Sequence, residues 1–587
     1  MRWPSKINTV ADMLRREGCR TTAAYAGDWA MRHLRLRRYP ALNAARAAAA
    51  QAYPAWLQAQ RPDEAERRRQ HGAALSHRLS FLIPTYNTEP GLLMALVDSL
   101  LAQTVDGWEA CFYDGCSTRE DTRCALAEAA ERDPRIRVEL GEENGGISGN
   151  TNRALAMARY DWVALVDHDD LVTEDAAYCV LRAAENGADM VYSDEDKCDA
   201  EGKRFFDPHM KADFAPDTLR SGNYICHLMA MEKALMVRVG GLRSAFDGSQ
   251  DHDLALRVSE QARRIVHIPR ILYHWRMLDT SVSHQAAERC ADAAMRAVAD
   301  QLRRQGVQGR AYTRLLQTCV AYETDPAARV TVIAACHGGD TQRWLNTLAR
   351  RTRAEVAEVL LVGAAEGCRF RGKPCRALRA EGGLSAALNA AAQAASGNYL
   401  LFVDQGLEPL DKGWLTELMM FAQRPDVACA GAALLTRQKT YLHCGYAVDV
   451  PGGALSHQAG INYYSLPYML TDRLNRNVTA VSRGLMMIRR ETFLALGGFG
   501  AFDSDLMAVA LGLRAMEAGL VNVYVTGARA LWEGETPPCL TGPASEAELE
   551  RFRAAFGEHP KERYYSPLME KEKGWMLLDT TRPAPLE

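Results

Sequence analysis

The sequence repeats itself, and a repeat on this scale restricts the fold more than any single motif does. Without a gap, Gly145-Gly146, Ser148, Asn152 and Asp167 recur in order as Gly382-Gly383, Ser385, Asn389 and Asp404, and the apolar run DWVALVD ending at Asp167 falls on NYLLFVD ending at Asp404. At a second fixed offset, Gly240-Gly241, Leu256-Arg257 and Trp275 recur as Gly497-Gly498, Leu513-Arg514 and Trp532. A chain of 587 residues has room for about two to four domains. Its repeat spans far more than one supersecondary unit, so the chain reads as a duplicated domain.

Within the first copy the pattern alternates between strand and helix. LSFLIPTYN from Leu79 is followed by a helical stretch over Leu92 to Leu101, then WEACFYDG, a helix over Thr122 to Glu131, and IRVELGEENGG. A helix from about Ser148 to Arg159 then leads into DWVALVDHDD. Alternation of this kind predicts an α/β fold whose parallel sheet is covered by helices and binds ligands at the carboxyl ends of its strands. Three such ends are polar: Pro84 to Asn87, Asp114-Gly115, and Asp167 to Asp170. The expected layout is a helical leader over 1–78, one domain over 79–310, a second over 329–534 and an extension over 535–587.

The most charged strand end is DHDD, where a buried-looking run stops at Asp167, Asp169 and Asp170. A pair of carboxylates about 4 Å apart repels by roughly 1 kcal/mol in water and about 4 near a protein surface. Such a cluster calls for a cation or a raised pKa, unless it is a solvated loop capping the next helix through Thr173 or an Asp. Asn144-Gly145-Gly146 precedes a helix and offers backbone amides to an anion, although its spacing matches neither GxGxxG nor a P-loop. Asp251 and Asp253 start a later helix, where the dipole favours acids in any case, and the strand IPRILYHWR presents His274 and Arg276. Alternation predicts that His168 points away from Asp167 and Asp169, and His252 is assigned no role. Asp194, Glu195 and Asp196 fit an acceptor groove or a solvated turn.

The second copy acts as a natural substitution series. Asp169 becomes Gly406, Asp170 Leu407, Asp251 Ala508, Asp253 Ala510, His274 Leu531 and Arg276 Glu533, while the glycines and apolar run persist. Acids that served folding should survive in a copy of the same fold. Residues lost as a set are residues that worked as a set, which favours a metal and catalytic reading of the first copy.

Composition excludes several classes. A net charge of −3 gives no basic domain for nucleic acid. No apolar run reaches about 18 residues and the N-terminus lacks a signal-peptide core, so a cytoplasmic protein is expected. The 15 cysteines show no CxxC, which argues against zinc and a disulfide framework. The leader has helical periodicity around Val10 and Trp29 and an excess of arginine (Arg32, Arg35, Arg37, Arg38, Arg67, Arg68, Arg69), which fits either peripheral contact with an anionic membrane surface or a solvated helix face. The oligomeric state is not legible.

IPTYN, the following DG with Ser117-Thr118, the NGG turn, D-x-D-D, YSDEDK, GGLR, SQDHDLALR and YHWR occur in an order and spacing that resemble the inverting glycosyltransferases of family 2, which have the GT-A fold. The likeness covers Leu79 to about Ser283, and Arg329 to Gly534 resembles the second, degenerate domain of tandem proteins that build bacterial surface polysaccharides. The resemblance implies that Pro84, Thr85, Tyr86 and Asp114 hold the base and ribose of a nucleotide-sugar donor, with Gly145, Asn152 and Arg276 also on the donor. It implies that Asp167 and Asp169 hold Mg2+ or Mn2+, that His274 completes the metal site or approaches the diphosphate, and that Asp251 is the general base. One departure is Tyr113-Asp114-Gly115 where the family commonly has two acids before the glycine. The implied function is metal-dependent inverting transfer of a sugar to a glycan or lipid-linked acceptor in the synthesis of O-antigen, capsule or cell-wall glycan.

Those residue types suit that chemistry. A hard cation neutralises a departing diphosphate, and a carboxylate on the opposite side takes the acceptor proton. No GxSxG elbow or Cys-His pairing signals a covalent nucleophile. The competing readings are a non-catalytic pair that scaffolds or binds glycans, and a nucleotidyltransferase, the latter weakened by the absence of a Gly-rich loop carrying Arg and Lys. In the second copy Tyr463, Tyr464 and Tyr468 fit either sugar stacking or core packing.

Overall fold

The computed structural model describes residues 40–278, 287–314, 316–364, 366–379, 382–463, 469, 471, 473–532, 540 and 544–584. Val10, Trp29, Arg32, Arg35, Arg37, Arg38, Ser283, Tyr464, Tyr468, Glu533 and Gly534 lie outside the described residues.

Helices α1 (Pro40–Gln60) and α2 (Glu64–His71) lead into the first sheet. Its strands are β1 (Leu79–Thr85), β2 (Trp108–Asp114), β3 (Ile136–Leu140), β4 (Trp162–Leu165), β5 (Leu171–Val172), β6 (Met190–Cys198), β7 (Phe205–His209), β8 (Met229–Glu232) and β9 (Ile265–Arg276). The order is β3-β2-β1-β4-β8-β6-β9-β5, with β7 on β6. β3, β2, β1 and β4 are parallel, as the alternating pattern predicts, but β8 is antiparallel to both β4 and β6, which makes the sheet mixed. Every residue of β1 and β2 is buried, so both faces are covered and these strands read as continuous apolar runs. The helices that position the site are α3 (Pro90–Leu101), α4 (Glu120–Arg132), α5 (Gly146–Met157), α6 (Ala176–Glu185), α7 (Gln250–Ser259) and α8 (Ala287–Arg304).

A hairpin of β10 (Gly309–Arg314) and β11 (Gln317–Tyr322) precedes the second sheet. That sheet contains β12 (Val330–Ala335), β13 (Glu358–Val362), β14 (Arg376–Leu378), β15 (Tyr399–Asp404), β16 (Leu407–Pro409), β17 (Val427–Thr436), β18 (Tyr441–His443), β19 (Arg476–Val478), β20 (Leu485–Arg489) and β21 (Val521–Trp532). Its order, β14-β13-β12-β15-β20-β17-β21-β16 with β18 on β17, repeats the first sheet strand for strand, and β19 on β21 is the addition. The protein is therefore two tandem α/β domains of one topology.

The two domains share an apolar core that runs from Leu82 and Tyr192 through Val298 and Tyr322 to Leu401 and Val525. A buried ion pair crosses the junction: Arg424 of the second domain binds Asp217 of the first, whose carboxylate also accepts from Asn477 Nδ2 at 2.9 Å. Tyr53 and Trp56 of α1 are buried, with Tyr53 Oη donating to Asp196 at 2.6 Å and Trp56 Nε1 to the Arg582 carbonyl at 2.7 Å. The described part of the leader is thus packed on the body, and no described helix is long and apolar enough to cross a membrane.

Candidate functional site

The carboxyl ends of β1 and β4, the turn before α5, the turn before β8 and the start of α7 converge on one cleft of about 630 Å³, a volume suited to a small-molecule ligand. Pro84, Thr85 and Tyr86 form one wall, with Tyr86 exposed at the mouth. Asn144, Gly146 and Asn150 form the next wall at the start of α5, and Asp167, His168 and Asp169 lie at the strand end. Asp247, Gln250 and Asp251 close the opposite side beside Arg289 and Cys290 of α8. This is the point where the strand order reverses, with β1 between β2 and β4, and crevices of α/β sheets open at such points.

Asp167 is half-buried, and burial raises its carboxyl above the ordinary range, with His227 opposing and Asp169 adding to the rise. Burial also pushes the Asp170 carboxyl well up, reinforced by Asp169 and Asp167. Asp170 is anchored from behind, since one oxygen accepts from Tyr273 Oη at 2.6 Å and the other from the Arg276 amide at 2.7 Å. Ligand atoms of Asp167, Asp170 and His227 lie within 4.8 Å of one another, with Asp169 on the adjacent wall. Crowded acids held towards protonation become ionised when a cation enters; carboxylate oxygens suit Mg2+ or Mn2+, and an added imidazole favours the softer Mn2+. The residues fit such an ion.

Asp251 lines the cleft on the first turn of α7 and accepts from Asn223 Nδ2 at 2.8 Å. Asp253, two residues on, is fully buried between Arg243 and Arg257 and serves the fold. His252 is also buried, with Nε2 2.7 Å from the Leu219 carbonyl, and burial lowers its pKa.

Of the residues expected to form the site, Pro84, Thr85, Tyr86, Asp167, Asp169 and Asp251 line the cleft, and five others stand elsewhere. Asp114 is buried one layer behind Thr85, its oxygens engaged by the Ser117 amide at 2.8 Å and hydroxyl at 2.5 Å. Gly145 is the N-cap of α5, its amide donating to Asn150 Oδ1 at 3.1 Å, between the cleft residues Asn144 and Gly146. Asn152 exchanges hydrogen bonds with the Leu242 amide (2.9 Å) and carbonyl (2.8 Å), and Gly241 at φ +62° leaves it room, since a Cβ there would lie 2.5 Å from Asn152 Oδ1. Asn389 makes the same approach to Gly498 and bonds the Phe499 amide, so this asparagine is scaffold in both copies.

His274 and Arg276 require the clearest correction. His274 Nδ1 lies 2.5 Å from Asp196 Oδ1 in the interior, and its ring packs on Phe205. Arg276 Nε donates to the Asp169 carbonyl at 2.6 Å and Nη1 to the Ala200 carbonyl at 2.8 Å, clamping the DHDD turn from outside the cleft. Both alternate along β9 with Trp275, and it is Trp275 that faces the cleft. His168, expected to point away, lines the cleft with Nδ1 4.0 Å from Asp169 Oδ1, because β4 ends at Leu165 and strand alternation does not extend to it. Asp194, Glu195 and Asp196 form neither a groove nor a solvated turn, for all three are buried and paired with His267, Lys211 and His274. Lys211 and His209 hold Glu195 down at about 2 against burial. His227, Asp247, Arg289 and Cys290 are cleft residues that sequence reasoning missed, whereas Asn144 belongs to the NGG turn already singled out in the sequence.

In the second domain Asp404 is fully buried and paired with Arg483. Gly406, in place of Asp169, sits at φ +100°, and a Cβ there would lie 2.4 Å from the Trp532 ring. Tyr463 is held by Arg529, its hydroxyl accepting at 2.9 Å, with the Arg473 guanidinium 3.9 Å above its ring.

The Glycosyl transferase family 2 model matches residues 80–238 and 364–497, one segment in each domain, and the chain belongs to this family. It is 32% identical over 499 residues to the uncharacterized protein y4gI of Sinorhizobium fredii, covering 79% of this chain and 53% of that protein. It is likewise 32% identical over 545 residues to the O-antigen biosynthesis protein RfbC of Myxococcus xanthus, covering 88% of this chain and 42% of that one. The chain thus spans about half the length of these curated relatives. A solved mannosyltransferase from Pyrobaculum calidifontis, in complex with GDP-Man and Mn2+, is 22% identical with a TM-score of 0.32, covering 45% of this chain and 76% of its own.

Proposed function

We propose that the first domain transfers a sugar from a nucleotide-sugar donor to a glycan or lipid-linked acceptor, with inversion, in the synthesis of a bacterial surface polysaccharide. The observation that carries this reading is that one cleft gathers the Thr85-Tyr86 strand end, the DHDD acids and Asp251 on opposite walls, while the same fold in the second domain keeps only Asp404 of these acids and pairs it with Arg483. The relationship to an O-antigen biosynthesis protein supports the pathway class.

Pro84, Thr85, Tyr86 and the Asn144–Asn150 wall would bind the nucleotide. Asp167 and Asp169, with His227 and Asp170 behind them, would hold Mg2+ or Mn2+, which when bound supplies positive charge against the departing diphosphate. Asp251 takes the proton of the acceptor hydroxyl as that oxygen attacks the anomeric carbon, and one displacement inverts the centre. Asn223 fixes the orientation of this carboxylate. Arg276 and Tyr273 hold the acids in place without touching substrate. Transfer of this kind draws its donor from the cytoplasm, which suits a cytoplasmic protein peripheral to the inner membrane face. The test is a panel of nucleotide-sugars with and without Mn2+, reading nucleotide release by the full chain. Release from one donor class that stops with EDTA supports the proposal, and no release from any donor with any glycan or lipid-linked acceptor refutes it.

The second domain supports a narrower role. With Gly406 at the position of Asp169 and Ala508 at that of Asp251, it would position acceptor or partner rather than catalyse transfer.

A further inference from the structure

The turn that enters the antiparallel strand beside the first acid is built differently in the two domains, and the difference concerns what can neutralise that acid. In the first domain the turn precedes β8 and carries His227. Its backbone is pinned from the interior: the His227 amide donates to Glu195 Oε2 at 3.0 Å, and the fully buried ammonium of Lys211 donates to the Ile225 and His227 carbonyls. Its ring stacks on Tyr273, with centroids 4.6 Å apart and planes 15° apart. Tyr273 Oη in turn donates to Asp170 and accepts from the Asp167 amide at 3.2 Å. The imidazole is therefore fixed in position beside Asp167 and Asp170, with a ligand atom within 4.8 Å of theirs. Among the described residues neither ring nitrogen makes a hydrogen bond.

In the second domain the turn precedes β20 and carries Arg483. Its guanidinium binds Asp404, the counterpart of Asp167, and with His337 holds that carboxyl below its ordinary range against burial. Space for a second ligand is filled as well, because the Trp532 ring lies against Gly406. A guanidinium is always charged and has no lone pair to give, whereas an imidazole has one.

We infer that His227 is a ligand of the divalent cation in the first domain, and that in the second, where the strand register puts Gly484 at the position of His227, the preceding Arg483, at the position of Cys226, serves Asp404 as a built-in cation, so that the chain binds one metal ion. This rests on the proposal that the first domain is metal-dependent.

The experiment uses the full chain with Mn2+, in the presence of UDP or GDP, followed by equilibrium titration and pulsed electron paramagnetic resonance. One Mn2+ per chain is expected, with a 14N coupling from a directly bound imidazole. His227→Gln should lose that coupling and weaken Mn2+ binding by about tenfold or more, while His274→Gln keeps both. His227→Asn and thermal denaturation of each variant guard against loss by unfolding. Mn2+ bound through oxygen alone in the wild type, or a 14N signal that survives in both His227 variants, would overturn the assignment and leave metal dependence standing. Two Mn2+ per chain would overturn the role of Arg483. No Mn2+ bound with either nucleotide would overturn the inference together with the reading beneath it.

Discussion

Asp251 and Asp253 are separated by one residue, yet the structure gives them opposite duties, and exchanging each for asparagine separates chemistry from folding. Asp251→Asn keeps the shape of the side chain and leaves a carbonyl to accept from Asn223, now 2.8 Å away, so stability should change by less than about 1 kcal/mol. It removes the group that takes a proton in the transition state, a role worth about 10² to 10⁴ in rate, or roughly 2.7 to 5.4 kcal/mol of barrier. Donor affinity should hold, since a base acts on the transition state and not on the bound donor. Asp253→Asn does the reverse. It strips the charge from a site with no solvent exposure and leaves Arg257 buried without its anion, which should cost about 3 to 5 kcal/mol of stability. Any variant that still folds should turn over at a near-normal rate. Nucleotide release under saturating donor and acceptor, donor binding by calorimetry, and urea denaturation measure the three quantities. Full turnover by Asp251→Asn, or lost turnover with normal stability in Asp253→Asn, would show that the base has been misplaced.

Three further outcomes follow from the same geometry. Asp217→Asn should destabilise the chain by about 3 to 5 kcal/mol in urea denaturation, because Arg424 stays buried at the domain junction while losing its main anion; a cost below 1 kcal/mol would mean that the pair does not join the domains. Burial pushes the Asp505 carboxyl up to about 7, with Asp404 adding to the rise and Arg483 opposing it. Its stabilising contribution is complete below the unfolded pKa near 3.8 and lost as pH rises through 7, so Asp505→Asn should stabilise the chain by up to about 4 kcal/mol at pH 8 and by much less at pH 5; equal effects at both pH values would contradict the burial argument. Joint replacement of Asp167 and Asp169 by alanine should remove all Mn2+-dependent nucleotide release from the full chain, and residual metal-dependent release would reveal activity in the second domain.

What was legible in the sequence was whatever a local pattern dictates. Apolar runs that stop at charge marked the strand ends at Thr85 and Asp167, and the internal repeat carried the shared topology of the two sheets. Period-two alternation also says that His274 and Arg276 share a face, but not which face meets the cleft; in the sheet, where β9 pairs with β6 and β5, that face turns to the interior and Trp275 meets the cleft. Asn152 was misread despite a usable signal. It persists as Asn389, and residues that survive in the degenerate copy are scaffold by the argument that singled out the acids. His227 carried no local signal, because it reaches Asp167 only through the antiparallel insertion of β8, a long-range pairing that no short window of sequence encodes.

The bond from Trp56 to the Arg582 carbonyl has a consequence for how the protein is made. It closes a loop of 526 residues, and the Ala584 amide closes a similar one on Gln60 Oε1. The closure itself costs little extra, since the entropy of joining two ends grows only with the logarithm of loop length. The order of synthesis is what matters. During translation α1 emerges before the sheet and can seat Tyr53 on Asp196 as soon as the first sheet forms, but the far side of the helix stays open until residues 565–584 leave the ribosome. At about 5 to 20 residues per second, the helix waits some tens of seconds for its cover. A chain broken off before Tyr565 would present Trp56 and Leu57 to solvent on an otherwise finished domain, an apolar site open to chaperones and proteases that recognise incomplete products.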